Sequence, residues 1–213
     1  PYEAFDGCTS LVSIGDLNNV ESIANEAFSN CSALEHVDKL DKITSIGQNA
    51  FKGCTALKSI GSLHNLETIG QGAFSGCSAL EHVDDLYSLT RLEYDVFSHC
   101  VSLISVDCSD KLTAIGSSAF FGCKALVSIG DLSNVTSIES SVFRGCIALK
   151  SIGNMPKLES IGMQCFMGCT ALETVGDLSS LKEIPSETFD GCTSLVSIGD
   201  LSNVTIIGSY GFN

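Results

Sequence analysis

Apolar residues recur at every third position along most of this chain, a period that belongs to neither regular secondary structure. In the first repeat they are Phe5, Cys8, Leu11, Ile14, Leu17, Val20 and Ile23, and in the sixth Phe120, Cys123, Leu126, Ile129, Leu132, Val135 and Ile138. An amphipathic helix would show a step of about 3.6 and a half-buried strand a step of about 2. A step of three keeps those side chains inward only if the backbone keeps turning. The pattern therefore predicts a coil wrapped around its own core. A longer step through a small residue, such as Ala27 or Ala50, then leads into the next Phe.

The coil repeats without interruption. Phe stands at positions 5, 28, 51, 74, 97, 120, 143, 166, 189 and 212, always 23 residues apart, and only Phe121 lies outside the series. Three residues after each of the first nine comes Cys, six after comes Leu, and nine after comes Ile or Val. Near-identical copies reinforce the reading: Leu126 to Val135 and Leu195 to Val204 are both LVSIGDLSNV, and Cys31 to Asp38 and Cys77 to Asp84 are both CSALEHVD. Self-similarity at such a period is the signature of a solenoid, in which each unit buries its apolar set only against its neighbours. Strand is expected at the Leu-x-x-Ile segments, such as Leu126 to Gly130, where successive coils would pair in parallel and advance by about 4.8 Å each. The ten Phe side chains are expected to lie buried in one file. The fold class is thus an α/β-type repeat that is mostly β. It forms a single uncapped solenoid of 23-residue coils over residues 1–213, of about nine repeats. Both ends fall inside the pattern, at Tyr2 to Phe5 and at Phe212, so a longer parent protein is expected.

The pattern L-x-x-I-G-x-L-x-x-L-x-x-I-G-x-x-A-F-x-G-C, clearest from Leu34 to Cys54 and from Leu57 to Cys77, resembles the BspA-like leucine-rich repeats of bacterial and protist surface proteins. The resemblance covers essentially the whole chain. It departs just after the Ile strand, where the family usually carries an apolar residue and then Pro; here stand Asp16-Leu17, Asp131-Leu132 and Asp200-Leu201, which shifts the expected strand end. The resemblance implies a secreted or cell-surface protein that adheres to host proteins, matrix or other cells.

Charge narrows the partners. There are 11 Lys and Arg against 25 Asp and Glu, a net charge of -14, and such a field repels phosphate backbones and anionic membranes. Nucleic acid is excluded as a natural partner. No run approaches the ~20 apolar residues of a membrane helix, so no membrane insertion is expected in this segment. No cofactor is implied.

Candidate chemistry is sparse. Disulfides and metal sites need cysteines that converge on a point, whereas nine of the eleven here form a column. They read as small buried hydrophobes, and Cys108 and Cys165, off the column, are also expected to be free. The Asp column at Asp16, Asp85, Asp131, Asp177 and Asp200 lacks the loop oxygens a calcium site wants and reads as structural. Thr90, Thr113 and Thr136 stack in adjacent coils, but Glu67 and Glu159 flank them and break the regularity an ice-binding face requires. No G-x-S-x-G, H-E-x-x-H or phosphate-binding glycine loop occurs, and an enzyme is not expected.

Two classes remain open: a binding module, and a structural spacer or solenoid that self-associates through its uncapped ends. Residues seven and eight after Phe vary between repeats, as in Val12-Ser13, Glu35-His36, Lys58-Ser59 and Ile104-Ser105, while inward positions barely change. That contrast favours binding. On the strand side, which is the concave one in solenoids that curve, Glu35, His36, Asp38, Glu81, His82, Asp84 and Asp107 are expected to form an acidic centre suited to a basic or polar protein segment, or to a glycan. His36 and His82, two coils and about 10 Å apart, are too distant to share one metal ion.

Overall fold

Successive tight turns produce the three-residue apolar step. The Cys31 N–H donates to the Phe28 carbonyl at 3.2 Å, Leu34 to Cys31 at 3.0 Å, and Ile43 to Leu40 at 2.9 Å. Each of these i to i+3 bonds swings the chain round so that the next apolar side chain points inward. The computed structural model describes residues 3–213, so Tyr2, at the expected start of the first repeat, lies outside the described residues.

Two strand ladders form where neighbouring coils lie side by side, both entirely parallel. The first runs from His36–Val37 and Ser59–Ile60 through His82–Leu86, Ser105–Cys108 and Ser128–Ile129 to Ser151–Ile152, Thr174–Val175 and Ser197–Ile198. It is the ladder expected from the Leu-x-x-Ile segments, but most of its strands are only two residues long. The second runs from Ser22–Ile23, Ser45–Ile46 and Thr68–Ile69 to Ile206–Ile207 and was not expected. Register is that of the repeat, with His36 opposite Ser59 and Ser22 opposite Ser45. The exception is a shift between Val83 and Leu86 that sets Leu86 opposite Cys108.

The Phe turn bonds from coil to coil as well, in the opposite sense. The Phe28 N–H donates forward to Ala50 at 2.8 Å, whereas on the ladders the Gly47 N–H donates back to Ile23 at 2.8 Å. Backbone polar groups are thereby satisfied between coils on several sides of the body, as burial requires.

Inside runs one continuous apolar core. The ten Phe rings stack in a single file, with centroids 5.1 to 5.6 Å apart. Full burial holds only for Phe28 to Phe189; Phe5 and Phe212 are 44% and 45% exposed, because each has a stacking neighbour on one side alone. Beside the file, every column thiol from Cys31 to Cys192 donates to the carbonyl of the preceding coil's Phe, as Cys54 does to Phe28 at 3.1 Å. Cys108 and Cys165 are free, like the rest.

The repeat glycines have two causes. Gly76 has a φ of 76°, the left-handed region where a side chain is strained, whereas a Cβ on Gly70 would lie 2.4 Å from the Gln48 nitrogen of the adjacent coil.

Candidate binding surface on the first ladder

A two-residue strand presents one residue inward and one outward. On the first ladder the inward residues are Val37, Ile60, Val83 and Val106, and the outward ones include His36, Ser59, His82 and Ser105. His36 and His82 are both exposed, and each bonds the serine of the following coil: Nδ1 of His36 lies 2.8 Å from Ser59 Oγ, and Nδ1 of His82 lies 2.9 Å from Ser105 Oγ. The two histidines thus occupy equivalent places two coils apart, and neither shares a first shell with the other.

The acidic residues divide into two groups. Glu35 is half-buried and ion-paired to Lys58 of the intervening coil at 2.8 Å, a contact that holds its carboxyl below the usual range. Asp38 is exposed beside it. Glu81, Asp84 and Asp107 are exposed in the next two coils, and no lysine or arginine pairs with them among the described residues. Asp107 accepts a 2.6 Å hydrogen bond from the Tyr87 hydroxyl, and its charge helps push that phenol up to about 12. Exposed carboxylates with no basic partner among the described residues are therefore Asp38 and, in two adjacent coils, Glu81, Asp84 and Asp107.

Sequence reasoning missed two neighbours of this surface, Tyr87 and Val127, and took Ile104 only as one of the variable positions. Tyr87 is exposed where other repeats carry small polar residues, His64 or Pro156. Ile104 and Val127 are exposed, at 38% and 44%, in the position that Glu35, Lys58 and Glu81 fill elsewhere. That column alternates between charged and apolar residues, with Val12 and Val196 exposed in the same place, so only Tyr87 departed from its column as an available signal.

Other candidate chemistry resolves into structure. Asp16, Asp131, Asp177 and Asp200 each accept the backbone N–H two residues on, at 2.8 to 2.9 Å, which is the turn-forming role of aspartate. This turn replaces the proline expected from the family pattern. Thr113 and Thr136 donate their hydroxyls to the carbonyl of the preceding coil's threonine, at 3.0 and 3.2 Å, so these hydroxyls already serve the coil. Among the described residues no group of three or more His, Cys, Asp or Glu is arranged to hold a metal ion. Among the described residues no helix is long and apolar enough to cross a membrane.

The sequence profile of the BspA type leucine rich repeat region matches residues 1–104 and 90–213, in six copies. A leucine rich cell surface protein from Faecalibacterium prausnitzii is 32% identical, with a TM-score of 0.60 over 94% of this chain and 63% of that one. A leucine-rich repeat protein from Bacteroides ovatus is 28% identical, with a TM-score of 0.63 over 100% of this chain and 67% of that one. This chain spans less than two thirds of the first of these proteins. No curated protein matches it.

Proposed function

The chain belongs to the BspA-type leucine-rich repeat family, and from that premise we propose that it is a non-catalytic adhesion module, secreted or held at the cell surface, whose first ladder docks a basic segment of a partner protein. One observation carries the reading. The outward positions of that ladder change from coil to coil, and at Glu81, Asp84 and Asp107 they gather exposed, unpaired negative charge, whereas the inward file is nearly invariant.

A spacer has no need of such variation. Glu35, His36 and Asp38 extend the surface toward the N-terminus, with Lys58 partly neutralising it. Ile104 and Val127 are exposed on the same ladder, apolar surface against which the aliphatic stems of bound lysines pack. The location is supported by the family and by the similar Faecalibacterium prausnitzii protein, a leucine rich cell surface protein.

The test is calorimetric titration with a synthetic peptide of alternating Lys and Ser. Replacing Glu81, His82 and Asp84 together by Ser should weaken binding about tenfold or more, with a thermal stability change within about 1 kcal/mol, as expected of exposed positions. Undiminished binding in that variant, with loss on substitution of Asn49 on the Phe turn, would move the docking face elsewhere.

A further inference from the structure

Four residues near the Phe turn depart from what the corresponding places hold in other repeats, and the fold brings all four to one groove. Tyr94 stands where Gln48 and Gln71 stand in the two preceding repeats, His99 where Gly76 and Gly122 flank it, Phe121 where Ser75 and Ser98 precede it, and Arg144 in the next place of that same column. With Asp95 and Ser98 they line a depression of ≈ 320 Å³. It lies on neither strand ladder.

The groove has structure of its own. The His99 and Phe121 rings are perpendicular, with centroids 5.0 Å apart. The Arg144 guanidinium sits over the Phe121 ring, 5.7 Å from its centroid, and donates one N–H to Gln164 Oε1 at 3.0 Å. His99 has a φ of 59° in a column that glycine fills in seven repeats and asparagine in one, so a side chain is kept there against backbone preference. The other arginine, Arg91, is held by both Glu93 and Glu139. Arg144 makes no ion pair among the described residues, in a chain of net charge -14.

We infer that this groove binds a neutral oligosaccharide. A pyranose ring offers C–H faces that pack on aromatic rings, and a rim of hydroxyls that both donate and accept. Tyr94 and Phe121 supply the aromatic surface, which combines an apolar body with little conformational freedom to lose. Arg144 donates, Asp95 accepts, and His99 and the Ser98 hydroxyl do either. The one positive and one negative charge cancel, so the groove selects for neither sign. The overall negative field disfavours an acidic sugar.

The test measures binding to full-length chain by calorimetry and by NMR titration. The probes are neutral cello-, malto- and manno-oligosaccharides of four to six units, with oligogalacturonate as the acidic counterpart. The main variant combines Tyr94→Gln, His99→Gly, Phe121→Ser and Arg144→Ser, all residues that other repeats carry at these places, and Phe121→Ser alone serves if the combination unfolds. At least one neutral series should bind more tightly than oligogalacturonate. Affinity should fall about tenfold or more in the groove variant, while Glu81, His82 and Asp84 changed to Ser leave it intact. Absence of neutral binding, equal or tighter binding of oligogalacturonate, or undiminished binding in the groove variant overturns the assignment. Loss in the strand-face variant alone would place the sugar on the first ladder and equally refute the groove, without bearing on the basic peptide's site.

Discussion

Phe97 and Phe120, one coil apart, stack with centroids 5.6 Å apart and planes 19° from parallel, against 2° for Phe120 and Phe143. The shift of register that sets Cys108 opposite Leu86 lies one coil step earlier, where Phe74 and Phe97 are 11° from parallel. A solenoid has no distant contacts to absorb a local defect, so damage at the Phe97 and Phe120 pair is felt first in the adjoining coils. Phe120→Ala should cost about 3 to 5 kcal/mol, the usual range for a buried aromatic. Hydrogen exchange should accelerate at the Phe97 and Phe143 coils before the far ends respond. Unchanged exchange around residue 120 would count against nearest-neighbour coupling.

Two glycines should respond oppositely to one added methyl. At Gly70 a Cβ would lie 2.4 Å from Gln48 N and 2.5 Å from Gly47 C, both backbone, while at Gly153 nothing lies within 4 Å and φ is not positive. Gly70→Ala must push two coils apart and should cost about 1 to 3 kcal/mol or more. Gly153→Ala should be neutral or slightly stabilising, since it narrows the unfolded ensemble. Urea midpoints of the two variants decide the matter.

Arg91 reaches over one coil to Glu139, while also pairing with Glu93 at 3.2 Å. Arg91 holds the Glu139 carboxyl below its usual range, with Ser117 assisting. A depressed carboxylate stabilises the fold above its unfolded pKa of about 4.3, and that contribution disappears as pH falls through the lower folded value. The groups are about 40% exposed, so solvent screens the pair and Arg91→Ala should cost no more than about 1 kcal/mol at pH 7. The difference from wild type should shrink in thermal melts as pH falls below about 4.3.

The coil, its period and the Phe file were legible because every repeat states them again. The second ladder, at Ser22–Ile23 and its successors, was not. With apolar residues at every third position, each step has an equal local claim to be strand or turn, and the outcome depends on hydrogen bonds between residues 23 apart, such as Thr44 N–H to Glu21 O at 2.9 Å. Asp131 was legible as structural, but the partner that defines its role, the N–H of Ser133, is fixed by the local turn geometry. The first-ladder acids were readable as a group, but the Lys58 contact that sets Glu35 apart from Glu81 needed coordinates. Tyr94, His99, Phe121 and Arg144 occupy three different repeat positions across 51 residues (144 minus 94, counted inclusively). Only Phe121 stood out in sequence, and only the fold shows what it meets.

The thiol column makes the protein sensitive to alkali. Burial pushes Cys54, Cys108 and Cys123 up to about 12 and Cys192 up to about 11, from an ordinary value of 9.0, and raises Cys77, Cys100 and Cys146 as well. A thiol whose folded pKa is raised keeps its full contribution below the unfolded value and loses it as pH climbs toward the folded one, because only the unfolded chain releases the proton. Each such thiol lowers stability by up to about 1.4 kcal/mol per pH unit in that window, and the slopes of independent thiols add. Cooperative unfolding is therefore expected between about pH 9 and pH 11, a range in which carboxylates and histidines no longer titrate. Melting temperatures taken every half pH unit should fall steeply there, and more gently in a variant with Cys77, Cys100 and Cys123 changed to Ala, even though that variant starts lower at pH 7. The same burial governs reactivity at pH 8, since a thiol reagent needs the thiolate. One cysteine, the exposed Cys8, should react quickly in the native protein, and the other ten only after denaturant is added. Rapid reaction of several thiols in the native state would show that the column is open to solvent and would remove the basis for the alkaline transition.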